Sequence, residues 1–190
     1  MYRCLSLAAM LEEYRITFCV QRTDPGIKQI VEKAGYVYAE LISEEFASFA
    51  VGNFSIPHTI IVLDGYDFDG MYQKGLKLLG FRLVFIDDFA AFPMVADVVI
   101  NTADISAIAY EKAPYTQLLL GHEFTLLRPP FLHRATQPAF SARERGRLFI
   151  SLGASDPQNY TAEVLSVLMA RTDLSEVVIL VSELNPHLIQ

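Results

Sequence analysis

No apolar run among the 190 residues approaches the roughly 18–20 needed to cross a bilayer. Hydrophobic residues make up 52% of the chain, and the mean hydropathy is +0.30. They fall in short blocks, such as residues 59–63 and 82–86, broken by Gly, Asp and Pro. Only Arg3 precedes the apolar segment 5–11, and no small-residue cleavage pattern follows it, so a secretory signal is rejected and a cytoplasmic chain without a membrane partner is expected. Cysteine is scarce. Cys4 and Cys19 stand in different apolar segments with no Cys-x-x-Cys or Cys/His ligand spacing, which points to reduced, buried thiols and no metal or other cofactor. Clustered basic charge is missing as well. Fifteen Lys and Arg face 22 Asp and Glu, for a net charge of −7, so nucleic acid is not an expected partner. The richest basic stretch, Arg143-Glu144-Arg145-Gly146-Arg147, reads as a solvated linker.

What the chain does contain is an alternation of strand-like and helix-like segments. Helical spacing predicts a helix over residues 2–12, and β-rich residues predict a strand over 16–20. Asp24-Pro25 opens a helix expected to stop at Gly35, and 36–41 reads as a second strand. Ser43 with Glu44 and Glu45 suggests a short helix over Phe46 and Phe49. Residues 59–63 form the clearest strand, a β-branched run expected to be buried on both faces. A helix over 69–79 ends at Gly80, and strands over 82–86, 96–100 and 117–120 follow. Residues 129–146 look like a linker, with strand 148–152, helix 159–169 and strand 177–181 beyond it. The pattern predicts an α/β fold: a Rossmann-like parallel sheet over residues 1–140, then a linker and the first β-α-β unit of a second lobe over 141–190.

Ligands of open parallel sheets collect beyond the carboxyl ends of the strands. Three polar clusters occupy such positions: Asp64-Gly65-Tyr66, Asp87-Asp88, and residues 153–159, which open a helix whose N–H groups suit an anion. An aspartate at a strand end also commonly caps the next helix. Asp67-Phe68-Asp69 has the spacing of a metal-binding pair, but no other ligand accompanies it. Residues 153–159 carry no Lys and are too short for a phosphate-binding Walker loop. His58, His122, His133 and His187 are scattered, without a nucleophile in motif distance.

Taken in order, these segments resemble the UDP-sugar hydrolases of the pseudaminic acid pathway, UDP-2,4-diacetamido-2,4,6-trideoxy-β-L-altropyranose hydrolases. Tyr2-Arg3-Cys4-Leu5-Ser6-Leu7-Ala8 is similar to their first helix, Asp64-Gly65-Tyr66 to their Asp-His-Tyr strand end, and Ile86-Asp87-Asp88 to their acidic segment. Ala96-Asp97-Val98-Val99-Ile100-Asn101, the stretch from Leu119-Leu120-Gly121 to Leu127-Arg128-Pro129, and Ser151-Leu152-Gly153-Ala154-Ser155-Asp156-Pro157-Gln158-Asn159 extend the likeness over nearly the whole chain. Gly65 stands where the family often has His, and Ala154 where it has Gly. The family's pattern Gly-x-Gly-His-x-x-Arg, aligned on Arg3, puts its catalytic His immediately before Met1.

The resemblance implies two Rossmann-like lobes in the arrangement of GT-B glycosyltransferases, and hydrolysis of a UDP-sugar in the cleft between them. It also implies that this chain is a fragment cut short at both ends, lacking a first strand and most of the UDP site, and so inactive by itself. Tyr66 is the implied catalytic candidate. Arg3, Asp64, Asp88, Ser155, Asp156 and Asn159 are the implied substrate-binding residues, with Arg3 serving the pyrophosphate or bracing the cleft. The alternatives are a GT-B transferase using an acceptor hydroxyl in place of water, and a non-catalytic sugar-nucleotide- or partner-binding remnant. Self-association through exposed sheet is expected of such a fragment.

Overall fold

The computed structural model describes residues 1–21, 25–41, 46–103, 105–137, 146–153, 155–183 and 185–187. It contains two compact units, Met1–Gln137 and Pro138–Gln190. The first opens with helix Tyr2–Met10 (α1), two residues shorter than its periodicity predicts because Leu11 leaves helical geometry at φ −113°, ψ 49°. Strand Thr17–Val20 (β1), helix Pro25–Lys33 (α2) and strand Val37–Glu40 (β2) follow, and the two strands pair in parallel from Thr17↔Val37 to Val20↔Glu40. Gly35 ends α2 at φ +84°, with its N–H bonded to Glu32 and that of Tyr36 to Val31. This paired closure needs a left-handed residue, and glycine takes that conformation without steric cost. The capping residue expected at Asp24, and Ser43, Glu44 and Glu45, lie outside the described residues.

After helix Phe46–Asn53 (α3) comes the main sheet. Strand Ile60–Asp64 (β3), helix Gly70–Leu78 (α4) and strands Arg82–Ile86 (β4), Val98–Asn101 (β5) and Gln117–Leu120 (β6) build a four-stranded, all-parallel sheet in the order β3-β4-β5-β6. This is a Rossmann-like α/β arrangement. Asp69 caps α4 by accepting a bond from the Tyr72 N–H at 2.8 Å. Its role in the Asp67-x-Asp69 pair is therefore that of a helix cap.

The pleat divides the sheet's side chains cleanly. Ile61 and Leu63, Leu83 and Phe85, and Val99 face a core completed by Leu41, Phe46, Ala50, Leu76, Phe81 and Met94. The opposite face of β3 is open, with Ile60 42% and Val62 38% exposed. The strand was expected to be buried on both faces. It is buried on one, because β3 is the last strand of its hydrogen-bonded sheet, and the continuous apolar run follows parallel-strand composition and not actual cover. Cys19 and Leu41 pack on the same core, yet β1 and β2 remain a separate sheet without a ladder to β3. Gln73, fully buried in α4, is one of the polar residues in this core. Its amide oxygen accepts from the N–H groups of Val95 and Ala96 at 3.3 and 3.1 Å, and its nitrogen donates to the Phe68 carbonyl at 3.1 Å.

Residues 129–146 were expected to be a linker throughout. Their first part is instead helix Pro129–Ala135 (α5), in which the two prolines fill the first helical positions, where a missing N–H costs nothing. Residues 138–145, including most of the basic stretch, lie outside the described residues.

The second unit consists of strand Arg147–Ile150 (β7), helix Tyr160–Leu168 (α6) and strand Glu176–Ile179 (β8), with the strands parallel. It buries little apolar surface: Phe149, Val167 and Met169 are all exposed. Among the described residues no helix is long and apolar enough to cross a membrane.

Candidate functional site

The carboxyl ends of β3 and β4 lie level, since Asp64 pairs in register with Ile86. Pleat alternation then sends Asp87 to the core face and Asp88 to the face that carries Asp64. Into the gap between Asp64 and Asp88 comes Arg3, from the first turn of α1. Its Nε donates to Asp64 Oδ1 at 2.8 Å, while Nη1 and Nη2 grip the two oxygens of Asp88 at 2.6 and 3.0 Å. A planar guanidinium with five donors suits this double fork, which a lysine's point charge cannot reproduce. The next residue, Cys4, gives its thiol hydrogen to Asp64 Oδ2 at 2.8 Å, and the Met1 amino group lies 3.6 Å from the same oxygen.

These contacts set the protonation states. Burial by itself pushes the Asp64 carboxyl up, but the bonds from Arg3 and Cys4 more than reverse that, leaving it below the ordinary range. Arg3 is raised further still, by Asp88 first and Asp64 second. Cys4, only partly exposed, is pushed up to about 12 by burial and then by the Asp64 carboxylate, and Cys19 to about 11 by burial. Both thiols are free and half-buried where buried ones were expected, and both are protonated at neutral pH. At pH 8 we expect iodoacetamide to alkylate Cys4 in the folded chain roughly a thousandfold more slowly than in urea, and Cys19 roughly a hundredfold more slowly, in proportion to thiolate. Mass-spectrometric labelling rates check this, and equal folded and unfolded rates at Cys4 would contradict it.

Beside the charged trio stands an aromatic pair. Tyr66 and Phe89, 74% and 66% exposed, follow β3 and β4 with ring centroids 5.6 Å apart. Gly65 has φ +159° between Asp64 and Tyr66. Arg128, in the Leu-Arg-Pro segment before α5, lies over the rings of Tyr2 and Phe131 at 5.7 and 5.1 Å. Beneath Asp88, Asp87 is buried. Its Oδ2 accepts from the Tyr110 hydroxyl at 2.6 Å, the Ala90 N–H at 2.8 Å and Asn101 Nδ2 at 3.3 Å.

The structure therefore brings together Arg3, Asp64, Asp88 and Tyr66. Asp64 does not cap a helix, and it serves the site as an arginine ligand. Phe89, Tyr110 and Arg128 were not singled out from the sequence. For Phe89 the available signal was its place directly after the acidic pair. Ser155, Asp156 and Asn159 belong to the second unit. There Ser155 is exposed, and buried Asp156 accepts from the Tyr160 and Thr161 N–H groups at 2.9 and 3.0 Å. Asn159 takes a left-handed turn at φ +58° without capping through its side chain. The first-turn amides expected to receive an external anion are met by the chain's own carboxylate, so Asp156 is a capping residue here. Ala154 lies outside the described residues.

An open hollow of about 520 Å³ lies at the opposite, amino-terminal end of the main sheet, lined by Lys74, Lys77, Leu78, Val95, Asp97 and Tyr115. Two of its charges are matched to each other: Lys77 grips both oxygens of Asp97 at 2.7 and 2.8 Å and lies over the Tyr115 ring. Of the two ends, the carboxyl end carries the arginine clamp and the aromatic pair.

No protein-family model matches the chain. Over 180 residues, 90% of its length, the chain is 22% identical to an uncharacterized protein, MJ1062, of Methanocaldococcus jannaschii. It spans 37% of that relative.

Proposed function

We propose that this chain forms part of a UDP-sugar hydrolase, one releasing UDP and a free diacetamido-trideoxy sugar, with the carboxyl edge of the main sheet as its sugar side. The observation that carries this reading is the Arg3 clamp between Asp64 and Asp88, beside the exposed Tyr66–Phe89 pair. One cation between two carboxylates is already over-neutralised, so Arg3 braces the site and does not meet a pyrophosphate. The carboxylates suit sugar hydroxyl and amide hydrogens, and the aromatic faces suit the apolar face of a pyranose. Arg128, held over rings, is the cation we assign to phosphate.

In the reaction, water's oxygen bonds to the anomeric carbon while that carbon's bond to the diphosphate oxygen breaks. UDP departs with the electron pair, and the water's proton passes to bulk solvent. We assign to the Tyr66 hydroxyl the hydrogen bond that orients the water. A GT-B transferase would use the same strand-end residues, so one measurement separates the two: UDP release from UDP-diacetamido-trideoxy sugars by the longer protein of which this chain is proposed to form part, followed by NMR with and without an acceptor sugar. Release in water alone, in step with free sugar, is expected. Release only with acceptor would replace hydrolase by transferase, and no release together with no perturbation of Tyr66 or Phe89 resonances would remove the reading. In that longer protein Tyr66→Phe keeps the ring and should lower kcat by roughly a hundredfold with little change in KM.

A further inference from the structure

Asp87 and Asp88 are adjacent acids with opposite tasks. Asp88 reaches out to Arg3, and Phe89 leans on Tyr66, so two contributions to the site come from consecutive residues of the short turn after β4. That turn is anchored on both sides. Before it, the Asp87 N–H bonds to the Ile100 carbonyl at 2.9 Å, continuing the β4–β5 ladder. After it, the Ala90 N–H bonds back to Asp87 Oδ2 at 2.8 Å, with Ala90 held at φ +52°, a left-handed conformation that a residue with a Cβ rarely adopts unless held there. The oxygen that holds Ala90 is the one held by Tyr110.

We propose that Tyr110 is a positioning residue of the strand-end site: its buried hydroxyl fixes the Asp87 carboxylate, and that carboxylate fixes the turn that presents Asp88 to Arg3 and Phe89 to Tyr66. The Tyr110 hydroxyl donates to Asp87 Oδ2 at 2.6 Å and accepts from Asn101 Nδ2 at 2.9 Å. Asn101, almost fully buried at the end of β5, also takes the Ala103 N–H on its Oδ1 at 2.9 Å, which fixes which way its amide points. Every donor around Asp87 thus has one orientation, and the carboxylate has one place to sit. Burial and then the Asp87 carboxylate push the Tyr110 phenol upward, so it remains a donor across the physiological range. The ring of Tyr110 packs in the core independently of its hydroxyl, which lets the two contributions be separated by removing one atom.

The test uses the whole 190-residue chain carrying Tyr110→Phe, read by NMR at Arg3 Nε–H and by hydrogen exchange at the Ala90 amide. A hydroxyl-to-carboxylate bond of this kind is worth a factor on the order of tenfold to a hundredfold in local opening. Ala90 should exchange faster by that factor, and the Arg3 Nε–H signal should broaden. Thr116→Ala is the control. It deletes a buried bond to the Ala96 carbonyl at 2.7 Å, at the other end of the same sheet, and should lower the melting midpoint while leaving both signals unchanged. Should Tyr110→Phe be too unstable to observe, Asp87→Asn weakens the same three bonds from the other side and should move Ala90 and Arg3 in the same direction.

Unchanged signals in Tyr110→Phe, or equal changes in Thr116→Ala, would overturn the proposal. The ligand arm rests on the sugar-nucleotide reading and is scored separately. UDP-N-acetylglucosamine is titrated while Tyr66 and Phe89 are observed, and the variant should bind roughly tenfold more weakly than the parent. If the parent does not bind the probe but Ala90 and Arg3 respond as expected, positioning stands and the sugar-nucleotide reading falls.

Discussion

Replacing Arg3 with methionine should destabilise the first unit by about 3 kcal/mol and weaken the pH dependence contributed by Asp64. Removing one member of a buried ion pair costs about 3–5 kcal/mol, and the low end applies because Arg3 and Asp88 keep about a third of their side chains in water. The sign follows from the opposing influences on Asp64. In the parent, its carboxyl lies below the unfolded value of 3.8 because Arg3 and Cys4 outweigh burial. Its stabilising contribution is therefore complete above that value and is lost as pH falls through the folded one. Without the guanidinium, burial is opposed only by the Cys4 thiol and the Met1 amino group, so the carboxyl rises from its value in the parent. The stabilisation lost on acidification shrinks accordingly. Urea midpoints measured from pH 3 to 6 should climb with pH in the parent and climb less in Arg3→Met. Parallel curves would contradict the clamp.

A second large effect is expected inside the core. Gln73→Leu nearly conserves volume but leaves the Val95 and Ala96 N–H groups and the Phe68 carbonyl without their partner. Each unsatisfied buried group costs about 1–3 kcal/mol, so a total loss of about 3–5 kcal/mol is expected after partial relaxation. Met71→Ala, two residues earlier on the exposed side of α4, should change stability by less than about 0.5 kcal/mol. The two denaturation curves, compared side by side, test whether hydrogen bonding or mere hydrophobicity governs this helix's inner face. A Gln73→Leu chain as stable as the parent would show that the amide is dispensable.

Gln73 also illustrates where sequence reading stops. A glutamine inside a helical pattern reads as surface, and nothing local reveals that the segment before β5 needs an acceptor at that point. Elements governed by local chemistry were legible. Gly35 and Gly80 closed their helices as predicted, at φ +84° and +94°, and β4 and β6 occupy the residues their β-branched and leucine runs indicated. The strand-end acids were legible as a cluster, because parallel topology dictates which ends meet. Arg3 joined them only through the family resemblance, since it is 61 residues from Asp64 and 85 from Asp88, and no spacing rule spans that separation. Helix α5 was missed because prolines were taken as breakers where they serve as starters. The open face of β3 was missed because composition reports what a strand tolerates, and neighbours decide what covers it.

The division of the first unit's strands into two ladders over one core has a mechanical consequence. Side chains from both ladders interlock, but no backbone bond crosses from β1 to β3. The β1–β2 ribbon can therefore peel away by giving up packing alone, leaving the four-stranded ladder intact. Its amides should exchange with solvent as a cooperative group of their own, at a lower opening free energy than those of β4 and β5. The arginine clamp ties α1 to the ends of β3 and β4, so that helix should stay with the four-stranded ladder when the ribbon opens.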